Sequence, residues 1–304
     1  MKTTLITTIA TCTLILGLPQ SQAGSLNETQ VAGTAKWALH LNLEKLRATQ
    51  VGGELNKRMY EPEADRKMKS LAAIFRFDPR KDLKEITVYG SSEKPEQAVA
   101  LLSGTFDAAH LSTMIEGADD YAGSSHNGTV VHQWTDKGKV NFGSIHNDSI
   151  VISQGKPMVE QALDVLGGQT AHLGAGDELA AMVAGDNQAF LSIAADLSSM
   201  GKLDAKAQMF QHASKAGFTL HETTRHVVGT LNIEAKSVEV AGQINTMLAG
   251  IVAAGTLNEK PELNQLANST KVTQDGNLVR LTVMLPTADL IKLMDEAEAW
   301  KKEF

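Results

Sequence analysis

The sequence predicts an α+β fold of two related units, each an antiparallel sheet with helices packed on one face. Three observations predict it. Apolar and polar residues alternate over short stretches, which indicates strands with one buried face. Turn residues join several of these stretches into hairpins, and segments of helical periodicity lie between them. The same order of strands and helices then recurs in the second half of the chain.

The first 23 residues have the pattern of a signal peptide. Lys2 supplies a positive charge, an apolar run covers residues 5–18, and Ser21 and Ala23 are small residues at the −3 and −1 positions of a cleavage site. This apolar run of about 14 residues is too short for a membrane helix, which needs about 20 residues. We identify no later apolar run that approaches the length of a membrane helix. We therefore expect cleavage near Ala23 and a periplasmic or extracellular protein that does not span a membrane.

Composition restricts the classes of function. The 304 residues carry 28 Lys and Arg against 35 Asp and Glu, a net charge of −7. Nucleic-acid binding requires a clustered basic surface, so no nucleic-acid partner is expected. The single cysteine, Cys12, lies in the signal peptide, so the mature chain must be stabilised by a hydrophobic core rather than by disulfides.

The first unit is predicted over residues 36–168, after a small polar leader at 24–35. In its first strand, Trp37, Leu39 and Leu41 alternate with smaller or polar residues, which predicts that the leucine side is buried. The later elements are predicted in chain order as a helical stretch over 46–74 interrupted near Pro62, a hairpin of strands 86–89 and 98–102, a short helix capped by Asp107, strands over 129–134, 140–146 and 150–152, and a helix opened by Pro157.

A glycine-rich segment separates the units. Five glycines lie between residues 167 and 186, and we predict a linker over 169–187. The second unit, residues 188–304, restarts with Leu191 and Ile193 alternating as the leucines of the first strand do. Its other elements are predicted as a helix over 203–213, a hairpin over 218–233, an amphipathic helix over 238–252, a hairpin over 271–285 turning at Asp275-Gly276, and a final helix capped by Thr287. One continuous sheet shared by both halves is compatible with this duplication.

His221, Glu222 and His226 are the candidate metal ligands. A helical zinc motif places two histidines four residues apart, but the spacing here is five, which separates them by about 140° around a helix. Neighbouring β-branched and aromatic residues instead favour a hairpin that brings the two imidazoles across from each other, with Glu222 beside them, as ligands of a loose surface metal. The alternative is a set of solvated side chains near a turn, which the sequence favours, and we predict no cofactor.

Other motifs of catalysis are incomplete. Ser-x-x-Lys occurs at Ser91, Ser153 and Ser199, but its partner motifs in penicillin-binding enzymes are missing. No Gly-x-Ser-x-Gly elbow and no phosphate-binding glycine loop occurs in the sequence. His132, in a predicted strand beside Trp134, is expected to pack in the core.

Two segments resemble a known class of proteins. Residues 140–157, running into the helix that ends at Gly167-Gly168, form the first segment. The second is Val238-Glu239-Val240-Ala241-Gly242-Gln243, followed by residues 272–286. Both are similar to exported bacterial proteins of a domain-of-unknown-function class with two α+β repeats. The resemblance implies the fold, and it implies no activity and no site residues.

The sequence therefore favours an exported, non-catalytic binding or scaffolding protein of the bacterial envelope. Its expected partner is another envelope protein, docked on an exposed sheet face or in the groove between the halves. Two alternatives stay open. One is a hydrolase or metal-dependent enzyme with a site assembled from dispersed His, Asp and Glu. The other is a carrier of a small ligand or lipid, which a closed apolar pocket between the units would favour and a solid core in both units would remove.

Overall fold

The structure is a computed structural model that describes residues 26–174, 176–199 and 212–303, with side chains of the last helix described to residue 295. The predicted signal peptide and nearly all of the helix predicted over 203–213 lie outside the described residues. Within them, helices and a large antiparallel sheet make up an α+β fold, which confirms the predicted class.

The described strands form one antiparallel sheet. They are β1 (Trp37–Asn42), β2 (Leu83–Gly90), β3 (Ala98–Gly104), β4 (Ala122–His126), β5 (Thr129–Asp136), β6 (Lys139–His146), β7 (Ser149–Ser153), β8 (Leu191–Asp196), β9 (Ala213–Glu222), β10 (His226–Ala235), β11 (Thr270–Asp275) and β12 (Leu278–Pro286). Their spatial order is β11-β12-β10-β9-β8-β1-β2-β3-β7-β6-β5-β4. The central β1–β8 pair joins the strands of the two halves of the chain, whose origin by duplication stays a prediction.

The helices connect these strands and pack against both faces of the sheet. They are α1 (Leu43–Arg47), α2 (Gln50–Met59), α3 (Pro62–Phe75), α4 (Ala108–Glu116), α5 (Lys156–Leu166), α6 (Glu178–Ala181), α7 (Val238–Thr256), α8 (Pro261–Asn268) and α9 (Thr287–Glu303). Pro62 and Pro157 each stand in the first turn of a helix, where a proline's missing N–H is not needed.

The main core lies on one side of the sheet, which we call the covered face. Alternate residues of the central strands point to this side, among them Ala38, Tyr89, Leu101 and Val151, and all of them are buried. Helix α5 packs over them through Val159, Ala162, Leu163 and Val165. The first half of the chain therefore has a solid apolar core on this face.

The predicted leader and the predicted linker both enter this core. Val31 and Ala32 from the leader are fully buried, as are Leu173 and Val183 from the linker, and the two segments form an isolated β-bridge between Ala32 and His172. Apolar side chains spaced among polar residues explain this packing. Neither segment is a solvated connection, and the domain boundaries drawn from them stay a prediction.

The second half has a separate core on the opposite side of the sheet. Ile233 and Val279, which face each other on β10 and β12, are fully buried beneath Ala241, Ile244 and Leu248 of α7. By length and composition alone α7 is apolar enough to cross a membrane, so our expectation that no such run follows the signal peptide was wrong. In the structure its inner side packs on the sheet.

Strand β1 is present, but its buried side is the reverse of the predicted one. His40 and Asn42 are each only 2% exposed, whereas Leu39 and Leu41 are partly exposed. Alternation shows that successive side chains point to opposite faces, but it does not show which face other segments will cover. Here α5, the leader and the linker cover the side that carries His40.

Candidate functional site

The side of the sheet opposite the main core, from β6 to β9, carries two straight rows of apolar side chains. We call this side the open face. The strand register places one residue of each strand directly beside the next. The first row is Ile145, Ile150, Leu102, Ile86, Leu41, Leu191 and Leu220. The second row is Ile152, Ala100, Val88, Leu39, Ile193 and Phe218.

Every side chain of both rows is partly exposed, although these strands lie in the middle of the sheet. The neighbouring residues of the same strands that point to the covered face are buried, as Tyr89 and Val99 show. The difference arises because helices cover one face there and leave the rows accessible. Contiguous apolar surface of this kind is typical of a binding site.

The rows form a long, narrow strip. Adjacent strands lie about 4.8 Å apart, so a row crossing seven strands is about 29 Å long. The two rows are separated by two residues along each strand, or about 6.7 Å. No charged side chain belongs to either row. The strip therefore matches an elongated apolar ligand better than a compact or charged one.

The first row ends in a polar hollow at its β6 end. The hollow has a volume of about 430 Å³, and its lining combines Ile145 from the row and the apolar residues Ala108, Ala109 and Val130 with the polar residues Ser112, Thr129, His132 and Asn147. None of the described Lys, Arg, Asp or Glu residues lines it. An apolar strip that leads into a small uncharged polar hollow can hold an amphiphile, with its chain on the strip and its head among the hydroxyl and amide groups.

His132 supports this assignment of the hollow. The imidazole is 2% exposed, and its Nδ1 lies 3.2 Å from the Tyr121 hydroxyl. Burial lowers the pKa of His132, with the carboxylate of Glu116 acting in the opposite direction. The ring is therefore neutral at pH 7 and contributes a hydrogen-bonding group rather than a positive charge.

Residues 43–75, which hold α1 to α3 and which we call the arm, run along the strand ends nearest the first row. At one end, the Glu222 carboxylate of β9 accepts hydrogen bonds from the backbone N–H groups of Gln50 and Val51, at 2.9 and 3.0 Å. At the other, the His110 imidazole Nε2 lies 2.8 Å from the Ile74 carbonyl oxygen. Helix α3 buries none of its residues and exposes Ile74.

The three predicted metal ligands do not converge. Glu222 lies on the open face, where it caps the N-terminus of α2. His221 points to the other face, and its Nδ1 lies 2.6 Å from a carboxylate oxygen of Asp186. His226 also points to that face, two residues before Val228, which is paired with His221. Among the described residues, no group of three or more His, Cys, Asp or Glu is arranged to hold a metal ion.

Sequence reasoning missed a row of buried polar residues on the covered face. Thr87, His40, Ser192 and Thr219 stand side by side on β2, β1, β8 and β9, and all are buried. The His40 Nδ1 lies 2.9 Å from the Thr87 hydroxyl, and burial, with a smaller contribution from Lys45, lowers the pKa of His40 to about 4. These groups lie beneath the packed core, so we assign them a structural role.

Comparison with known proteins supports the fold. No family model matches the chain, and no curated protein matches it. Among solved structures, one crystal form of the treponemal protein TP0453 aligns with a TM-score of 0.51 at 8% identity, covering 88% of this chain and 97% of that one. A second crystal form aligns with a TM-score of 0.48 at 10% identity. At such low identity, the first alignment shows that the two proteins share a fold.

Proposed function

We propose that this protein is a non-catalytic binding protein of the bacterial envelope that holds a single-chain amphiphilic lipid on its open face. The observation that carries the proposal is the first row, whose seven aliphatic side chains run in register into a polar hollow. The signal-peptide pattern of the sequence supports a location outside the cytoplasm, where such lipids are present.

Two solid cores remove the carrier with a closed apolar pocket between the units, so the proposed ligand lies instead on an open strip. The apolar interior of the described chain is filled by two solid cores, whereas the two rows are partly exposed. A ligand on the strip would bury the remaining exposed area of these side chains. Each larger side chain would then contribute about 1 kcal/mol to binding, at about 25 cal/mol for each Å² removed from water.

The hollow restricts the head group of the ligand. A carboxylate or phosphate needs a cation or several N–H donors, and no Lys or Arg lines the hollow. Hydroxyl groups can both donate to and accept from Ser112, Thr129 and Asn147. We therefore expect a neutral, hydroxylated head, as in a monoacylglycerol, to bind more tightly than a fatty-acid anion with the same chain.

The test uses delipidated mature protein, residues 24–304, and displacement of an environment-sensitive apolar dye by monooleoylglycerol or by oleate. Monooleoylglycerol should compete better than oleate at pH 8. The substitution Leu102→Gln, in the centre of the first row, should raise Kd about fivefold, the equivalent of about 1 kcal/mol. Thr129→Val should weaken binding of monooleoylglycerol by a similar factor and leave oleate binding unchanged.

Met284→Gln is the matched control, because Met284 is an exposed apolar residue of β12 outside both rows. It should leave both affinities unchanged. Equal affinities in Leu102→Gln and wild type would refute the proposed site. The strip would instead be assigned to an envelope protein partner if neither lipid displaces the dye and if the wild type captures a protein that Leu102→Gln does not capture.

A further inference from the structure

The second candidate surface is the helical hairpin of α7 and α8, which lies over β10, β11 and β12. Its inner side packs on the sheet through Ala241, Ile244 and Leu248. Because β11 is the last strand at that end of the sheet, the hairpin lies on the half of the molecule opposite the polar hollow. Its properties are therefore independent of the amphiphile site.

The outer side of this hairpin exposes several large apolar side chains. Ile251 is 57% exposed, and Leu257, in the turn between the helices, is 85% exposed. Met247, Leu263 and Leu266 are exposed as well. Residues 240–258 contain no charged side chain. While water surrounds Leu257 and its apolar neighbours on both helices, their exposed surface contributes no hydrophobic stabilisation to the protein.

Two ordinary explanations of an apolar helix do not apply to α7. A core helix is mostly buried, but only 17% of the most apolar window of α7 is buried. A signal sequence lies at the N-terminus, whereas α7 begins at Val238. The apolar outer side therefore calls for a partner that covers it.

We propose that the α7–α8 hairpin docks the protein on the surface of a lipid bilayer, with Leu257 inserted into the interface between head groups and acyl chains. Leu257 is 85% exposed, and by length and composition α7 is apolar enough to enter a bilayer, so a lipid surface matches the outer side of the hairpin. Glu259 and Lys260 lie in the same turn, and Glu262 lies in the first turn of α8; charged groups at these positions hold a segment at the interface rather than in the hydrocarbon.

The inner side of α7 limits the depth of insertion. Ala241, Ile244 and Leu248 belong to a core shared with Ile233 and Val279 of the sheet. For α7 to cross the bilayer, this core would have to open. The hairpin therefore lies on the membrane, with its inner side still on the sheet, rather than spanning it.

The first experiment measures binding of the full mature chain, residues 24–304, to phosphatidylcholine vesicles by flotation. Wild type should bind, and the double variant Ile251→Asp with Leu257→Asp should bind at least tenfold more weakly. The matched control is Val140→Asp with Met284→Asp, which places two carboxylates at exposed apolar residues elsewhere and should bind as wild type does. Circular dichroism should show that all three proteins are folded.

A second measurement reports the inserted residue directly. The only cysteine of the chain lies in the signal peptide, so Leu257→Cys gives the mature protein a single thiol for an environment-sensitive fluorophore. Vesicles should shift its emission to the blue, and a label at Met284→Cys should not respond. Leu102→Gln should leave vesicle binding intact, which separates this proposal from the amphiphile site.

Three outcomes would overturn the proposal. One is a wild-type protein that does not float with the vesicles. Another is an unchanged Leu257 label in the presence of lipid. The third is a wild-type dimer that the double variant converts to a monomer in the absence of lipid, which would assign the hairpin to a second copy of the chain.

Discussion

The buried His40 makes the stability of the protein sensitive to mild acid. Its ring is 2% exposed, its Nδ1 lies 2.9 Å from the Thr87 hydroxyl, and its pKa in the folded protein is about 4. In the unfolded chain a histidine titrates near 6.5. The unfolded state therefore binds a proton between these two values, and the folded state does not.

The sign and the magnitude follow from proton linkage. Because the unfolded state holds more protons, the free energy of unfolding rises with pH between about 4 and 6.5 and is level above that range. At pH 5 the contribution of His40 to the free energy of unfolding is about 2 kcal/mol lower than at pH 7. Below the folded pKa the loss approaches about 3 kcal/mol, since each pKa unit is worth about 1.4 kcal/mol.

The assay is guanidinium unfolding of the mature chain at pH 7 and pH 5, compared with His40→Gln. Glutamine retains a partner for Thr87 and does not titrate. The wild-type free energy of unfolding should fall by about 2 kcal/mol more than that of the variant over this interval, because all other groups titrate alike in both proteins. Equal losses in the two proteins, or an NMR titration of the His40 ring near pH 6.5, would refute the reasoning.

Two further predictions concern the arm. In α2, Gly52→Ala should destabilise the protein by at least about 2 kcal/mol, because the added Cβ would collide with the Leu46 carbonyl. The adjacent Gly53→Ala meets no atom within 4 Å and should stabilise the helix by about 0.5–1 kcal/mol. Thermal unfolding measures both variants, and similar changes in stability for the two would contradict the packing of α1 on α2. Glu222→Gln should lower the free energy of unfolding by about 1 kcal/mol and speed hydrogen exchange at the Val51 amide, because an amide oxygen replaces only one of the two carboxylate acceptors. Unchanged exchange at Val51 would mean that Glu222 does not cap α2.

Local signals in the sequence predicted most elements of the fold. The Asp107 carboxylate accepts from the His110 N–H at 3.0 Å and caps α4 as predicted, because a short polar side chain competes well for a free N–H at a helix start. Pro62 opens α3 where the helical stretch was predicted to be interrupted. The turn between β11 and β12 lies one residue later than predicted, with Gly276 at a φ of 57°.

The candidate site was not predictable in the same way. The leucines of β1 were assigned to a buried face because a period of two favours that interpretation. Which side is covered depends on segments outside the strand, Val31 of the leader just before it and Leu173 of the predicted linker far along the chain. The polar hollow likewise joins Ser112 of α4 to Ile145 of β6, and no spacing in the sequence relates these residues.

The reversed polarity of β1 and β8 is the strongest argument that the open face has a function. Folding buries His40 and Ser192, each of which loses contact with water, and leaves Leu41 and Leu191 partly exposed. Each exposed aliphatic side chain forgoes about 1 kcal/mol, and the two rows together forgo an amount comparable with the 5–15 kcal/mol of net stability typical of a domain. An arrangement selected for stability alone would place the leucines on the covered face. Binding of an apolar ligand along the rows would recover that energy, so in the proposed function the cost to the free protein and the affinity for the ligand have the same origin.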